Sequence, residues 1–240
     1  MAHQFPYDAD MTPTDLRLNI SEINRRIRAA ECAADRPSGA VSLLAVSKKK
    51  SAELIRWAHQ AGLTDFGENY AQEMAEKAAQ LADLGLTWHF IGPIQSNKTG
   101  LIAEFSDWVH SVDRLKIAQR LSDQRPPEKG PLKVLIQVKT SDEASKSGVL
   151  PDALKTLIDA VETLPNLQLK GLMTIPAPSA EPAAQRVPFR HLRTIQQSLI
   201  GRNPELAILS MGMSSDLEAA IAEGSNLVRV GTDIFGARYN

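Results

Sequence analysis

The chain has 240 residues, 43% of them hydrophobic and 23% charged, so it has enough apolar material for a large core and is not a disordered chain. Its 27 basic and 28 acidic residues give a net charge of −1, which excludes a global field favouring nucleic acid or an anionic membrane. One cysteine, five scattered histidines and the lack of any apolar run near ~18 residues exclude an internal disulfide framework, a zinc-ligand spacing and a membrane span.

The amino-terminal residues lack the basic start and apolar stretch of a secretory signal, so we expect a cytoplasmic protein. Residues 1–12 are expected to be flexible. From Thr14 to about Ala34, apolar residues recur at helical spacing, which predicts an amphipathic helix ahead of the first strand.

Short apolar runs then alternate with helical patterns along the rest of the chain. The candidate strands are "VSLLAVS", "LTDFG", "LTWHFIG", "DWVHSV", "LKVLIQV", "LQLKGLM", "LAILSMG" and "NLVRVG". Such alternation is typical of an α/β protein with a parallel sheet, and eight strands in this length favour one domain, residues 1–240, folded as a single (β/α)₈ TIM barrel with an extra N-terminal helix. An open doubly wound sheet is the alternative.

Two proline-rich segments, 123–131 and 175–188, fall where a barrel needs loops. The second follows a strand end. It is therefore either a mobile lid or a passive surface connection.

Active sites of such barrels lie at the carboxyl ends of the strands, and three lysines follow the first strand. In an extended segment, Lys48 and Lys50 point one way and Lys49 the other. A lysine run is usually a solvated surface. Lys48, however, closes the first strand, which adjoins the eighth in a closed barrel, and a lysine there can form a Schiff base with a carbonyl ligand.

The last two strand ends combine glycines with hydroxyl side chains. They supply Ser210, Met213, Ser214, Gly231 and Thr232, while Ser215 and Glu218 have capping-box spacing for the following helix. Loops after strands seven and eight commonly bind phosphate in this fold. The alternative is that these residues only make turns and helix caps.

Arg229 interrupts the apolar eighth strand between two valines. If it points into the barrel, its buried charge needs an acceptor, which is either a carboxylate or an atom of a ligand. A lysine, phosphate-binding loops and an arginine together suggest pyridoxal 5'-phosphate (PLP), with its aldehyde at Lys48, its phosphate at Ser214 and the Gly231–Thr232 amides, and its ring nitrogen at Arg229.

Long ordered blocks also resemble a known family. They are "LLAVSK", "DFGENYAQE", "WHFIGPIQSNK", "DEASKSG", "GLMTIPAP" and "LSMGMSSDLEAAIAEGSNLVRVGTDIFGAR". In these blocks the chain resembles the pyridoxal phosphate homeostasis proteins, often described as YggS-like. The resemblance implies a barrel like the N-terminal domain of alanine racemase, with PLP in Schiff-base linkage to Lys48.

By the same resemblance, the cofactor-binding residues include Asn69 beside PLP, Ser210, Ser214, Gly231 and Thr232 at the phosphate, and Arg229 at the pyridine nitrogen. Met213 belongs to the same strand end. Lys146 in "SKSG" matches a lysine implicated in a secondary vitamer site.

A guanidinium is always protonated, so Arg229 would leave the ring nitrogen without a proton and make PLP a weaker electron sink. Related racemases also need a second acid/base that, by resemblance, a second domain supplies, whereas this chain ends at Asn240 with no tyrosine or cysteine evidently placed for that role. We therefore expect a protein that stores and delivers PLP and maintains vitamin B6 homeostasis, with no catalytic residues, no metal and no substantial turnover.

The alternatives are a small PLP-dependent amino-acid racemase, a Schiff-base aldolase acting on a sugar phosphate through Lys48 or Lys139, and a purely structural interaction protein. The expected partners are PLP and, transiently, apo PLP-dependent enzymes, without nucleic acid or membrane. A monomer is expected.

Overall fold

The computed structural model describes residues 11–141 and 147–236. Its strands are β1 Ser42–Val46, β2 Asp65–Glu68, β3 Thr87–Phe90, β4 Trp108–Val112, β5 Leu132–Gln137, β6 Leu167–Met173, β7 Ile208–Ser210 and β8 Leu227–Val230. Each strand pairs in parallel with the next, and β8 pairs with β1 to close the barrel. The closed barrel is the predicted architecture, and all eight predicted strands are present.

Helices alternate with these strands. They are α1 Pro13–Ala33, α2 Ala52–Gln60, α3 Ala71–Gln80, α4 Thr99–Phe105, α5 Leu115–Asp123, α6 Pro151–Glu162, α7 Pro182–Ile200, α8 Leu217–Ala222 and α9 Thr232–Phe235. Short 3₁₀ helices lie at Ala82–Leu84, Ser96–Lys98 and Pro127–Lys129, the last within the predicted loop 123–131. None of the helices in the described residues combines the length and apolar character needed to cross a bilayer.

The main core lies between the sheet and the surrounding helices. Strand β8 shows how alternate residues divide between this core and the barrel interior, because successive side chains of a strand point to opposite faces. Val228 and Val230 belong to the main core, whereas Leu227 packs with Leu44 in a small interior cluster. Arg229 is therefore on the interior side.

Helix α1 is the predicted N-terminal helix, and the buried residues of its predicted stripe are Leu16, Ile20, Ile23 and Ile27. Thr12 and Asp15 form a capping box at its start, since each side chain receives a hydrogen bond from the backbone N–H of the other. The helix packs on α2, α8 and α9. The predicted flexibility of residues 1–12 falls largely on residues 1–10, which lie outside the described residues.

The prediction that residues 175–188 form one loop is wrong beyond residue 181, because α7 begins at Pro182. A proline in the first turn of a helix costs nothing, because its missing N–H would have no intrahelical acceptor there. Pro188 lies inside the helix, where proline is normally unfavourable, and Phe189 and Leu192 beside it are fully buried. Packing of this apolar face outweighs the local preference against helix.

We expect Ile23→Ala to lower the free energy of unfolding by about 2–5 kcal/mol, because the isoleucine is 1% exposed and its removal leaves a cavity between α1 and the barrel. Urea unfolding measures this change. Leu18→Ala is the matched control, since Leu18 lies on the same helix and is 64% exposed. Equal losses in the two variants would contradict the docking of α1.

Candidate functional site

A cavity of about 280 Å³ opens at the carboxyl ends of β1, β2 and β8. Seven of the nine predicted site residues line it: Lys48, Asn69, Met213, Ser214, Arg229, Gly231 and Thr232. Ser210 is not part of the lining, and Lys146 lies outside the described residues. Residues that the sequence did not assign also line it, among them Lys50, Ile91 and Ile175.

The three lysines leave β1 through a turn and do not continue the strand, which ends at Val46. Lys49 has φ 60°, a left-handed conformation that a residue with a side chain rarely adopts. Lys48 and Lys50 both line the cavity, whereas Lys49 is exposed. The expectation that Lys48 and Lys50 share one side agrees with this placement, although the turn rather than strand alternation produces it. Lys50 Nζ donates to the Phe235 carbonyl at 2.7 Å.

A buried ion cluster on α3 holds the turn that carries Lys48. Lys77 Nζ donates to the Ser47 carbonyl at 2.8 Å and to the carboxylates of Glu68 and Glu73, each at 2.7 Å. Glu73 also accepts the backbone N–H of Lys49, and Glu68 accepts the Ser47 hydroxyl at 2.6 Å. The peptide groups on both sides of Lys48 are therefore tied to α3. No local sequence pattern indicates this cluster, because Lys77 and Glu73 look like an ordinary exposed i, i+4 pair.

Glu68 is completely buried in this cluster. Burial is the main cause that raises its pKa to about 7; the charge of Glu73 acts in the same direction, and Lys77 and the Ser47 hydroxyl partly offset the rise. Its second carboxylate oxygen, Oε2, has no hydrogen-bond partner among the described residues. A carboxyl in this position exchanges its proton near neutral pH.

Arg229 lies at the floor of the cavity and is 3% exposed. Its Nη1 donates to Ser210 Oγ at 2.8 Å and its Nη2 to the Thr174 carbonyl at 2.9 Å. It forms no ion pair with a carboxylate of the described residues, so the simple salt-bridge alternative is not what these residues show. Burial lowers the pKa of Arg229 to about 10 against the attraction of Asp216, and the group stays protonated at neutral pH. Ser210 is fully buried, and its hydroxyl oxygen is the acceptor for Arg229 Nη1.

Two backbone segments close the other side of the cavity, namely the β7–α8 loop and the turn at Gly231. Within the described residues, no acceptor is paired with the N–H groups of Ser214, Ser215, Thr232 and Asp233. A Cβ on Gly231 would lie 3.2 Å from the Val46 carbonyl oxygen, so glycine allows the end of β8 to approach the end of β1 closely.

The predicted capping box of Ser215 and Glu218 is wrong. Asp216 is the N-cap of α8, and its carboxylate accepts the Met213 N–H at 2.6 Å. Glu218 instead pairs with Arg26 of α1 at 2.8 Å. The capping spacing could not reveal this long-range partner.

Asn69 follows β2 at the cavity wall. Its Oδ1 is buried and has no hydrogen-bond partner among the described residues. A buried amide oxygen without a partner is costly, so this atom is suited to meet a donor on a ligand. No group of three or more histidine, cysteine or carboxylate side chains in residues 11–141 and 147–236 is arranged to hold a metal.

The comparisons with known proteins agree with one another on the family of this chain. A family model described as alanine racemase, N-terminal domain, matches residues 18–239. A pyridoxal phosphate homeostasis protein of Pseudomonas aeruginosa is 60% identical over 220 residues, covering 92% of this chain and 94% of the relative. PipY of Synechococcus elongatus, whose structure has PLP bound, is 39% identical with a TM-score of 0.76 and covers 87% of this chain and 98% of PipY. Alanine racemase of Corynebacterium glutamicum, 17% identical with a TM-score of 0.67 over 94% of this chain and 61% of its own, shares the fold.

The raised pKa of Glu68 predicts how the free energy of unfolding depends on pH. Below pH 4.5, its ordinary pKa, the residue is protonated in both the folded and the unfolded chain. Between pH 4.5 and about 7 the unfolded chain releases the proton and the folded chain keeps it, so this group lowers the free energy of unfolding as pH rises through that window and adds no further change above it.

Glu68→Gln should remove this contribution, and urea unfolding across and above the window measures it. Glu76→Gln, an exposed change on α3, should keep the wild-type slope. A Glu68→Gln variant whose stability follows pH as the wild type does would contradict the assignment.

Proposed function

The chain belongs to the family of pyridoxal phosphate homeostasis proteins, and from that premise we propose that it holds PLP in the cavity between the ends of β1 and β8 and keeps it available without substantial turnover. The observation that carries this proposal is that Lys48 lines the same cavity as Arg229 and the Gly231–Thr232 turn. These residues are 180 or more positions apart in sequence and meet because β8 pairs with β1.

The residues of the cavity fit PLP chemically. The group carries an aldehyde, a phosphate and a ring nitrogen, which need an amine, a set of N–H or O–H donors and a further donor, respectively. The cavity offers the Lys48 amine, the hydroxyls and unpaired amides of Ser214 and Thr232, and the Arg229 guanidinium. The unpartnered Asn69 oxygen adds an acceptor for a donor group on the ring.

When bound, PLP supplies an electrophilic aldehyde carbon and an electron-withdrawing ring. We assign the bond to that carbon to Lys48, because it lines the cavity and, by the family resemblance, matches the lysine that forms the Schiff base. Arg229 remains protonated and can only donate, so it leaves the ring nitrogen without a proton. A ring held in this way withdraws electrons weakly, which favours retention of PLP over catalysis.

The finer features of the proposal rest on the same reasoning. We propose a single-domain monomer that passes PLP transiently to apo PLP-dependent enzymes, with Met213 contacting the cofactor and Lys146 serving a secondary vitamer site. Ser210 contributes through Arg229. The single cysteine suits a reducing compartment and supports a cytoplasmic location. A racemase is less well supported, because the relative at 60% identity is named a homeostasis protein, whereas the alanine racemase at 17% identity shares only the fold.

Borohydride reduction of the protein with PLP, followed by peptide mapping, should place the label on Lys48. Lys48→Ala should abolish the label, since the amine is lost, and Lys49→Ala should retain it, because Lys49 is exposed outside the cavity. Lys50 is the strict test, as it lines the same cavity. A label on Lys50 in the wild-type protein would overturn the assignment.

A PLP carrier should transfer PLP to an apo-enzyme and should leave amino acids unchanged. We expect the loaded protein to restore activity to an apo PLP-dependent enzyme. In deuterated water, it should give no exchange at the Cα of added amino acids, because a ring nitrogen without a proton stabilises a carbanion poorly. Exchange that disappears in Lys48→Ala would favour the racemase alternative.

A further inference from the structure

The barrel interior contains a continuous chain of hydrogen bonds beneath the cavity. It begins where Arg229 Nη1 donates to Ser210 Oγ at 2.8 Å, and Ser210 Oγ lies 3.0 Å from His110 Nδ1. His110 Nε2 then lies 3.0 Å from His89 Nδ1, and His89 Nε2 lies 3.0 Å from Asp65 Oδ1. Strands β8, β7, β4, β3 and β2 contribute one residue each.

This series of hydrogen bonds connects the cavity floor to solvent at the other end of the barrel. Ser210 and His110 are fully buried and His89 is 2% exposed, but the Asp65 side chain is 40% exposed. Asp65 is the first residue of β2, whereas the cavity lies at the carboxyl ends of the strands. The interior of such barrels is normally filled by layers of apolar side chains, so a row of buried polar groups is costly and calls for a role.

The donors and acceptors fix a single direction along the chain. Arg229 can only donate, so Ser210 Oγ accepts from it, and the hydroxyl hydrogen of Ser210 then has His110 Nδ1 as its acceptor among the described residues. His110 must therefore carry its hydrogen on Nε2, which donates to His89 Nδ1. His89 in turn carries its hydrogen on Nε2 and donates to Asp65.

The charges agree with this arrangement. Burial, together with the nearby His89 and Arg229, lowers the pKa of His110 well below its ordinary value, so its ring is neutral. Burial favours the neutral form of Asp65, but hydrogen bonds from His89 and Thr64 outweigh it and lower the pKa of this carboxyl. The far end is thus a carboxylate, which can only accept. The His89 ring is also stacked on Trp108, with centroids 5.7 Å apart and planes 3° apart.

We propose that Ser210, His110 and His89 are positioning residues for the ring nitrogen of PLP and act through Arg229. The proposal rests on the proposed function, which gives Arg229 that nitrogen as its acceptor. A chain whose bonds all run towards a carboxylate polarises each link in the same sense and makes Ser210 Oγ a stronger acceptor. It holds the guanidinium in one orientation, and among the described residues only Ser210 and Thr174 accept hydrogen bonds from its five N–H groups.

The donor-to-acceptor direction of these hydrogen bonds can be tested without PLP. NMR of the histidine ring nitrogens in the ligand-free wild-type protein at neutral pH should show both His110 and His89 as neutral rings with the hydrogen on Nε2. A hydrogen on Nδ1 of His110, or a charged His110 ring, would overturn the proposal.

The link to the cofactor is tested by Ser210→Ala in the PLP-loaded protein. Loss of one hydrogen bond to Arg229 should move the absorbance maximum of bound PLP and raise the Kd for PLP about tenfold. Ser106→Ala is the matched control, because Ser106 is 1% exposed, bonds only weakly to the Met74 sulfur and lies outside the cavity lining. This control should keep the wild-type spectrum and Kd.

Asp65→Ala tests the chain from its half-exposed end, and it carries the test if Ser210→Ala fails to fold. It should change the His89 ring-nitrogen signals and move the PLP absorbance from four hydrogen bonds away. Wild-type absorbance in every folded variant of Ser210 and Asp65 would overturn the proposal. A wild-type protein that takes up no PLP would instead refute the proposed function, and the ring-nitrogen spectra would still decide the direction of the chain.

Discussion

The parallel pairing of β8 with β1 is the constraint on which the site depends. Leu44 lies opposite Arg229 and Ala45 opposite Val230 in this ladder. Because side chains alternate along a strand, a shift of one residue in β8 would turn Arg229 into the helix layer and a valine into the barrel interior. The same register brings the Lys48 turn and Gly231 to one cavity. Barrel closure therefore fixes the amine and the guanidinium together.

The buried polar side chains of this site have an energetic cost. An arginine, two histidines and a serine occupy interior positions that apolar side chains fill in an ordinary barrel. Each is paired, which avoids the larger penalty of an unsatisfied buried polar group. The Lys77–Glu68 pair adds a second buried charge cluster, whose desolvation cost offsets much of its Coulombic gain. These networks are better explained as orienting the side chains of the site than as stabilising the fold.

The sequence predicted the architecture well, since the strand and helix alternation and the buried stripe of α1 depend on local periodicity. It also predicted most of the cavity lining, because residues at the carboxyl ends of strands converge in a closed barrel. Local patterns failed where a distant partner decides the outcome. Prolines suggested a loop where packing of Phe189 makes a helix, and Glu218 suggested a cap where Arg26 binds it. His89 and His110 looked like scattered histidines because their contact spans β3 and β4.

Two separate networks support the two ends of the proposed ligand. The cluster of Ser47, Glu68, Glu73 and Lys77 holds the turn of Lys48, whereas Ser210 and the two histidines hold Arg229. They have no residue in common, although Glu68 and Asp65 belong to the same strand, β2, and differ by three positions. Residues an odd number apart on a strand point to opposite faces, so Glu68 meets α3 outside the sheet and Asp65 meets His89 inside the barrel. Strand alternation thus places the network that supports the Lys48 turn and the network that supports Arg229 on opposite faces of β2.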